Sequence, residues 1–164
     1  KTGGFTRKHR ENLSKAVLKQ YANGFNPKLH HVNGWHESSK AGSVFYRSSY
    51  EKKAYLKLDK DDLVKTYYVE KVTTEFFNPI KEITSFYIID ILVQYIDNTE
   101  KLVEVKPAKW LTDAVVMAKI KAGKLKAKDM GIIYEVWTEM DLFGHVYNEK
   151  NMRLFVEKIR RGEI

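Results

Sequence analysis

Asp90, Glu104 and Lys106 are charged residues on a single predicted β-hairpin, Ile83–Pro107. Two apolar runs flank the polar cluster Asp97–Thr99, which is typical of a turn. Two neighbouring carboxylates repel each other unless a cation lies between them, and hard oxygen ligands suit Mg²⁺. A lysine beside such a pair is suited to orienting a water molecule or to stabilising charge on a phosphate. The hairpin is therefore a candidate site for metal-assisted phosphate chemistry.

The register of the hairpin decides whether these charges meet, because side chains two apart share one face of a strand. Val103 and Val105 form the apolar face of the second strand. Pairing the two apolar faces places Asp90 on the same face as Glu104 and Lys106. A slip of one residue would move both valines to the charged side, so the pattern requires a loop of odd length or a bulge. The apolar face of the first strand, expected to pack on the core, is Tyr87, Ile89, Ile91, Val93 and Tyr95.

The spacing Asp90 followed by Glu104-Val105-Lys106 resembles the core of the PD-(D/E)XK nuclease superfamily. Upstream, Phe45–Glu51 supplies a helix start of the YRSxxE type. Together, these motifs resemble the branch that includes phage head-completion nucleases, the endonuclease subunit of cut-and-paste transposons and several phage homing endonucleases. The resemblance covers about Phe45–Phe143, and Ile89 stands where the family often has proline.

The resemblance implies an α/β fold with a restriction-endonuclease-like mixed β-sheet core flanked by helices. It also implies phosphodiester hydrolysis with Mg²⁺, for which Mn²⁺ should substitute. Asp90 and Glu104 would hold the metal together with Glu51 and the Val105 carbonyl, and Lys106 would position the attacking water. Without Glu51 and a basic segment, an ordinary surface ion-pair cluster would be the favoured interpretation of this trio.

Glu51 lies on the second element of interest, a helix expected to start at Ser48 or Ser49 and to end at about Leu58. The spacing Ser48-x-x-Glu51 also fits a capping box, in which the carboxylate bonds to the Ser48 N–H. The resemblance favours the alternative, a helix-borne acid that completes the metal site. Arg47 is expected to meet a phosphate or to pair with an acid. The apolar stripe of this helix is Tyr50, Ala54, Tyr55 and Leu58.

A basic segment occupies the N-terminus. The formal net charge is +8 and the pI about 9.4, and most of the excess charge falls in residues 1–40. A helix is predicted from Thr6 to Ala22, ended by Gly24. The overlapping segment Gly3–Ala16 resembles a nuclease-associated modular motif of phage homing endonucleases, in which a short basic helix lies along DNA. A solvated basic tail is the alternative. The residues expected to contact the DNA backbone are Arg7, Lys8, Arg10, Lys15 and Lys19.

Histidines and a tryptophan follow the basic helix. His30, His31 and His36 have no cysteine to assist them and no fixed geometry, so surface or phosphate-facing positions are expected rather than a metal site. Trp35 is suited either to stacking on a base or to anchoring the basic segment on the core, and anchoring is favoured.

Four further elements complete the prediction. A strand is expected over Val64–Phe77. A helix is expected over Leu111–Met130, ended by Gly131, and Gly123 allows a bend within it. The helix should bury Leu111, Ala114, Val115, Ala118, Ala122 and Leu125. A strand over Ile132–Trp137 is expected at the centre of the sheet. A final helix from Asn148 should bury Met152, Phe155, Val156 and Ile159. We expect a basic DNA-binding arm in residues 1–42 and a nuclease domain in residues 43–164.

Composition narrows the function classes. The chain has 164 residues and no cysteine, which excludes a disulfide framework and thiolate zinc sites. No apolar run is long enough to span a membrane. The resemblance and the basic segment together imply a Mg²⁺-dependent endodeoxyribonuclease acting on double-stranded DNA, most closely a phage-type homing endonuclease, phage-encoded and working in the cytoplasm of a bacterial host. Double-strand cutting would suggest a homodimer. The alternatives are a phage head-completion or repair-type nuclease, or a non-catalytic nucleic-acid-binding module of the same fold.

Overall fold

A computed structural model describes residues 26–164, which fall into two compact units. One unit is Asn33–Val146; the other comprises residues 26–32 together with Tyr147–Ile164. The predicted helix Thr6–Ala22 and the predicted phosphate contacts at Arg7, Lys8, Arg10, Lys15 and Lys19 lie outside the described residues.

The larger unit contains a four-stranded mixed sheet in the order β3 (Val64–Asn78), β4 (Ile83–Tyr95), β5 (Glu100–Val105) and β6 (Ile133–Trp137). Strands β3 to β5 form an antiparallel meander, and β6 runs parallel to β5. Helices accompany the sheet, so the predicted α/β fold with a mixed-sheet core flanked by helices is confirmed. The elements of this unit are β1 Gly34–Ser38, β2 Gly42–Tyr46, α2 Ser49–Lys60, β3 Val64–Asn78, β4 Ile83–Tyr95, β5 Glu100–Val105, a 3₁₀ helix Ala108–Thr112, α3 Ala114–Met130, β6 Ile133–Trp137 and α4 Glu139–Phe143.

The start of α3 differs from the prediction. The Asp113 side chain accepts hydrogen bonds from the backbone N–H groups of Val115 and Val116, which fixes the helix start at Ala114. Leu111, the predicted start, belongs instead to the preceding 3₁₀ helix. The predicted end is confirmed, because Gly131 closes the helix with a φ of +70°, a conformation that favours glycine.

Three other expectations about packing were wrong. Strand β6 lies at the edge of the sheet, because it pairs with β5 alone and no other described strand lies beyond it. Leu125 is 56% exposed, although it was assigned to the inward stripe of α3. Leu92 and Leu102 come from the face expected to carry the charges, yet both are buried with Tyr87, Ile89, Ala122 and Ala127. Both faces of β5 are therefore covered, since neighbouring Val103 is buried as well.

Strands β1 and β2 form an antiparallel hairpin that was not predicted. The hairpin crosses residue 42, the predicted end of the basic arm, and lies wholly in the larger unit. Both strands begin with glycine, and β1 contains no β-branched residue, which weakens the strand signal. The assignment of residues 1–42 to DNA binding stays a prediction.

The smaller unit contains helices α1 Pro27–His30 and α5 Glu149–Arg160. Asn148 caps α5 by accepting a hydrogen bond from the Asn151 N–H, as predicted. Met152 and Val156 are buried, which confirms part of the predicted inward stripe. Among residues 26–164, no helix is both long and apolar enough to cross a membrane.

Candidate active site

The β4–β5 hairpin has the register that the sequence requires. Ile91 pairs with Val103 and Leu92 with Leu102. The Tyr95 N–H donates to the Thr99 carbonyl at 2.9 Å, which encloses a three-residue loop. Its last residue, Asn98, has a φ of +65°, a left-handed conformation that asparagine tolerates better than most residues. The prediction of an odd-length loop is confirmed.

Asp90 lies where the regular pairing of β4 and β5 stops. Its Oδ2 accepts a hydrogen bond of 2.8 Å from the backbone N–H of Val105, so the carboxylate takes the place of a strand partner. On its other side, β3 has a bulge between Val69 and Val72. The backbone pairing of β4 is thus interrupted on both sides at Asp90, and the Asp90 carboxylate lies beside the end of β5.

Lys106 connects the predicted metal ligands. Its Nζ lies 2.6 Å from Glu104 Oε1 and 3.5 Å from Asp90 Oδ2. The same ammonium donates to the Val105 carbonyl oxygen at 3.2 Å. Three of the oxygens assigned to a metal from the sequence therefore surround one positive charge.

Glu104 is almost inaccessible, with an exposed fraction of 1%. Burial raises the pKa of its carboxyl to about 7, and the charge of Asp90 adds to the effect. Lys106 works in the opposite direction, because an ammonium stabilises the carboxylate. Burial also disfavours the charge of Lys106, but Asp90 and Glu104 outweigh it and raise the lysine pKa above its ordinary value.

Glu51 approaches this cluster from α2. Ser48 caps the helix, accepting a hydrogen bond of 3.1 Å from the Glu51 N–H. The Glu51 carboxylate accepts from the Arg47 N–H at 2.7 Å, where the capping-box alternative had placed the Ser48 N–H. Burial raises the Glu51 pKa to about 7, with a further contribution from the negative charge of Asp90. Glu51 thus helps to order the helix start and is electrostatically coupled to the site.

Arg47 is exposed and forms an ion pair with Glu70. Its Nε lies 2.9 Å from Glu70 Oε1, and its guanidinium also lies over the Phe45 ring at 5.7 Å from the centroid. Of the two roles expected for Arg47, the structure contains the acid pair. Its contact with DNA phosphate stays a prediction.

His36 and Trp35 depart from expectation in opposite directions. His36 is buried, with Nε2 at 2.7 Å from Asp59 Oδ2 and Nδ1 at 2.9 Å from Lys52 Nζ, so its predicted surface position was wrong. Trp35 is 65% exposed and touches Phe45 edge to face, so it is not a buried anchor. Neighbouring residues of a strand point to opposite sides, which accounts for the difference.

The donor atoms around Lys106 fit a hard divalent cation. The described part of the chain contains no preformed group of three or more histidine, cysteine, aspartate or glutamate side chains that could hold a metal. The candidate ligands instead comprise two carboxylates and one backbone carbonyl oxygen, which lie around the lysine ammonium. Carboxylate and carbonyl oxygens are the ligands Mg²⁺ takes in proteins, so the residues fit the metal once Lys106 moves aside.

Residues 61–139 match the family model described as TnsA-like endonuclease N terminal. The TnsA-like segment covers just under half of the chain and contains Asp90, Glu104 and Lys106. It supports the nuclease branch of the resemblance and not a homing endonuclease in particular. Glu51 and Arg47 precede the segment. No curated protein matches the chain.

Two tyrosines of the TnsA-like segment were missed as site residues. The Tyr87 hydroxyl donates to Glu104 Oε2, and the Tyr134 hydroxyl lies 3.4 Å from that of Tyr87. The sequence placed Tyr87 on the apolar core face. The available signal was its residue type, because a buried tyrosine hydroxyl normally requires a polar partner.

Proposed function

We propose that the chain is a Mg²⁺-dependent DNA endonuclease that hydrolyses phosphodiester bonds in double-stranded DNA, with Mn²⁺ able to replace Mg²⁺. The observation that carries the proposal is the convergence of Asp90, Glu104 and the Val105 carbonyl on one cationic point. The TnsA-like match over the same residues supports it.

Each site residue has a distinct proposed role. Asp90, Glu104 and the Val105 carbonyl would hold the cation, with Glu51 completing the site from α2. A divalent cation bound there lowers the pKa of a water ligand and neutralises charge on the phosphoryl oxygens. Lys106, moved off its present position between the acids, would orient the attacking water or stabilise the charge that develops on the phosphate.

Different parts of the chain favour different subclasses of endonuclease. The basic segment Gly3–Ala16 favours the phage-type homing endonuclease, acting in a bacterial cytoplasm. The match at residues 61–139 favours a second candidate, a strand-cleaving subunit like that of cut-and-paste transposons. Residues 26–164 contain one such site, so cutting both strands would favour a homodimer.

A plasmid-cleavage assay tests the reaction. Wild-type protein should nick or linearise supercoiled DNA with Mg²⁺ or Mn²⁺ and not with EDTA. Asp90→Ala and Glu104→Ala should lose cleavage while retaining DNA binding. Glu139→Gln is the matched control, because Glu139 is also a buried carboxylate but bonds to Tyr50 and the Ala108 N–H. Undiminished cleavage by either alanine variant would contradict the metal-ligand assignment, and DNA binding without cleavage by wild type would favour the non-catalytic module.

Deletion of residues 1–25, which keeps β1 and the bonds of His36 and Ser38 to Asp59, tests the basic arm. Phosphate contacts release condensed counterions, so each lost contact reduces the slope of log affinity against log salt by about one. If Arg7, Lys8, Arg10, Lys15 and Lys19 bind phosphates, the truncated protein should bind DNA more weakly and with a smaller salt slope. The same affinity and slope in the truncated protein would show that these residues are not contacts.

A further inference from the structure

Glu104 is held from two sides by different elements. One carboxylate oxygen, Oε1, faces Lys106 at 2.6 Å and thus the candidate cation point. The other, Oε2, accepts a hydrogen bond from the Tyr87 hydroxyl of β4. Both side chains are buried, so no part of this contact is an exposed surface pair. The orientation of the carboxylate is therefore set jointly by Lys106 and Tyr87.

A second tyrosine stands behind the first. The Tyr134 hydroxyl of β6 lies 3.4 Å from the Tyr87 hydroxyl. Because Tyr87 gives its hydrogen to Glu104, Tyr134 is the partner that donates to the Tyr87 oxygen. A directed chain of hydrogen bonds thus runs from Tyr134 through Tyr87 to the carboxylate.

The Tyr134 ring packs against Gly123 of α3, where there is no side chain. A Cβ atom at position 123 would lie 2.4 Å from the ring, closer than any two such atoms can approach. Helix α3 continues unbroken through this glycine. A glycine inside a helix is less stabilising than alanine. Here it admits the ring that supports Tyr87.

We infer that Tyr87, backed by Tyr134 and Gly123, is a positioning residue that keeps Glu104 Oε1 turned toward the cation point shared with Asp90. The inference rests on the proposed function. Rotation about the last bond of a glutamate side chain is broad and only weakly restricted. Without the Tyr87 hydroxyl, the carboxylate is free to turn and its charge loses a buried donor. Outer partners of carboxylate ligands commonly change metal affinity 10–100-fold when they are removed.

Tyr87→Phe, Tyr134→Phe and Tyr50→Phe make a matched series. The Tyr50 hydroxyl also donates to a buried carboxylate, Glu139, at 2.8 Å. Removing it should have a comparable effect on folding without reaching the site. Titration calorimetry with Mn²⁺ and steady-state DNA cleavage give the two readouts, and thermal melting confirms that each variant is folded.

Tyr87→Phe should weaken Mn²⁺ binding about 10–100-fold and lower kcat while the KM for DNA stays near the wild-type value. Tyr134→Phe, one bond further away, should weaken Mn²⁺ binding a few-fold. Tyr50→Phe should bind Mn²⁺ as the wild type does. If Tyr87→Phe does not fold, Tyr134→Phe provides the test in its place. Wild-type Mn²⁺ affinity in the folded Tyr87→Phe variant, or in its substitute, would overturn the positioning role.

The behaviour of the wild type distinguishes failure of the positioning role from failure of the proposed function. A wild type that binds Mn²⁺ and cleaves DNA, with Tyr87→Phe indistinguishable from Tyr50→Phe, overturns the positioning role alone. A wild type that neither binds Mn²⁺ nor cleaves DNA overturns the proposed function and the positioning role with it.

Discussion

Two buried charged clusters in the larger unit differ in how their charges are balanced. In the first, which we call the Asp59 cluster, one carboxylate accepts hydrogen bonds from three residues, His36, Ser38 and Tyr67. The Lys52 ammonium donates to the remaining nitrogen of His36. One acid and one ammonium thus share a network in which each of these groups has a partner.

The second cluster, at the candidate active site, has more acids than it can neutralise. Asp90, Glu104 and Glu51 all act on the single ammonium of Lys106. Burial and the mutual repulsion of the acids raise the pKa of Glu51 and of Glu104 to about 7. A balanced buried cluster can stabilise a fold, whereas surplus buried carboxylates are typical of a site that binds a cation. The difference separates a network of matched charges from the candidate active site within the same unit.

Breaking the Asp59 cluster should have the largest effect on stability. Asp59→Ala removes the acceptor of three side chains and leaves the buried Lys52 charge without its neutralising carboxylate. Loss of one partner from a buried charge pair costs roughly 3–5 kcal/mol. Urea unfolding should show a decrease of this order, with Mn²⁺ affinity unchanged. The exposed neighbour Asp62 gives the control variant, Asp62→Ala, and an equal loss of stability in both variants would contradict this account.

The surplus acids should make the metal-free protein less stable as the pH rises. Glu51 and Glu104 keep their protons up to about pH 7 when folded, against an ordinary value of 4.5. Between these values the folded state binds more protons than the unfolded state, so stability falls with rising pH. The penalty is absent below about pH 4.5 and complete above about pH 7. At about 1.4 kcal/mol per pH unit, the pKa difference between 4.5 and about 7 corresponds to about 3 kcal/mol for each carboxylate.

Unfolding from pH 5 to pH 8 without metal measures this fall. Glu104→Gln should reduce the slope of unfolding free energy against pH, because the amide does not ionise. Adding Mg²⁺ should restore the stability that the wild type loses by pH 8. The prediction fails if the slope of the wild type equals that of Glu104→Gln.

The hairpin site was predictable because local periodicity determines it. Alternating apolar residues fix which side chains of β4 and β5 share a face, and the parity of the loop then places Asp90 on the side of Glu104 and Lys106. The Glu51 helix was predictable for the same reason, since Ser48 supplies a cap three residues before it. In both regions, residues close in sequence carry the information.

What was missed depends on partners that are distant in sequence. His36 was expected at the surface because nothing near it shows that Asp59 lies 23 positions away in the same network. Tyr134 reaches the site from β6, and its place beside Tyr87 depends on a strand order that apolar content does not reveal. The apolar run of β6 indicated a strand but not its position at the edge.

Removing Lys106 tests the charge balance of the candidate active site directly. Its ammonium lies among the oxygens that a metal would use, so the two cations compete for them. Lys106→Met should therefore tighten Mn²⁺ binding about tenfold at pH 8 while lowering turnover. Titration calorimetry and the plasmid assay measure the two effects. Lys52→Met is the control from the Asp59 cluster and should leave Mn²⁺ affinity as it is. Weaker Mn²⁺ binding by Lys106→Met would mean that the lysine supports the metal and does not compete with it.

The smallest effect is expected at the exposed pair of Arg47 and Glu70, which borders the site. Surface ion pairs are worth about 0–1 kcal/mol, so Glu70→Gln should barely change the free energy of unfolding. It removes a negative charge and frees the Arg47 guanidinium for phosphate, so DNA affinity should rise a few-fold at low salt. Arg47→Gln should lower affinity and reduce the salt slope by about one, and the double variant should resemble Arg47→Gln. Fluorescence anisotropy with a DNA duplex at several salt concentrations measures all three. If Glu70→Gln tightens binding equally in the absence of Arg47, the gain comes from general electrostatics and Arg47 is not a phosphate contact.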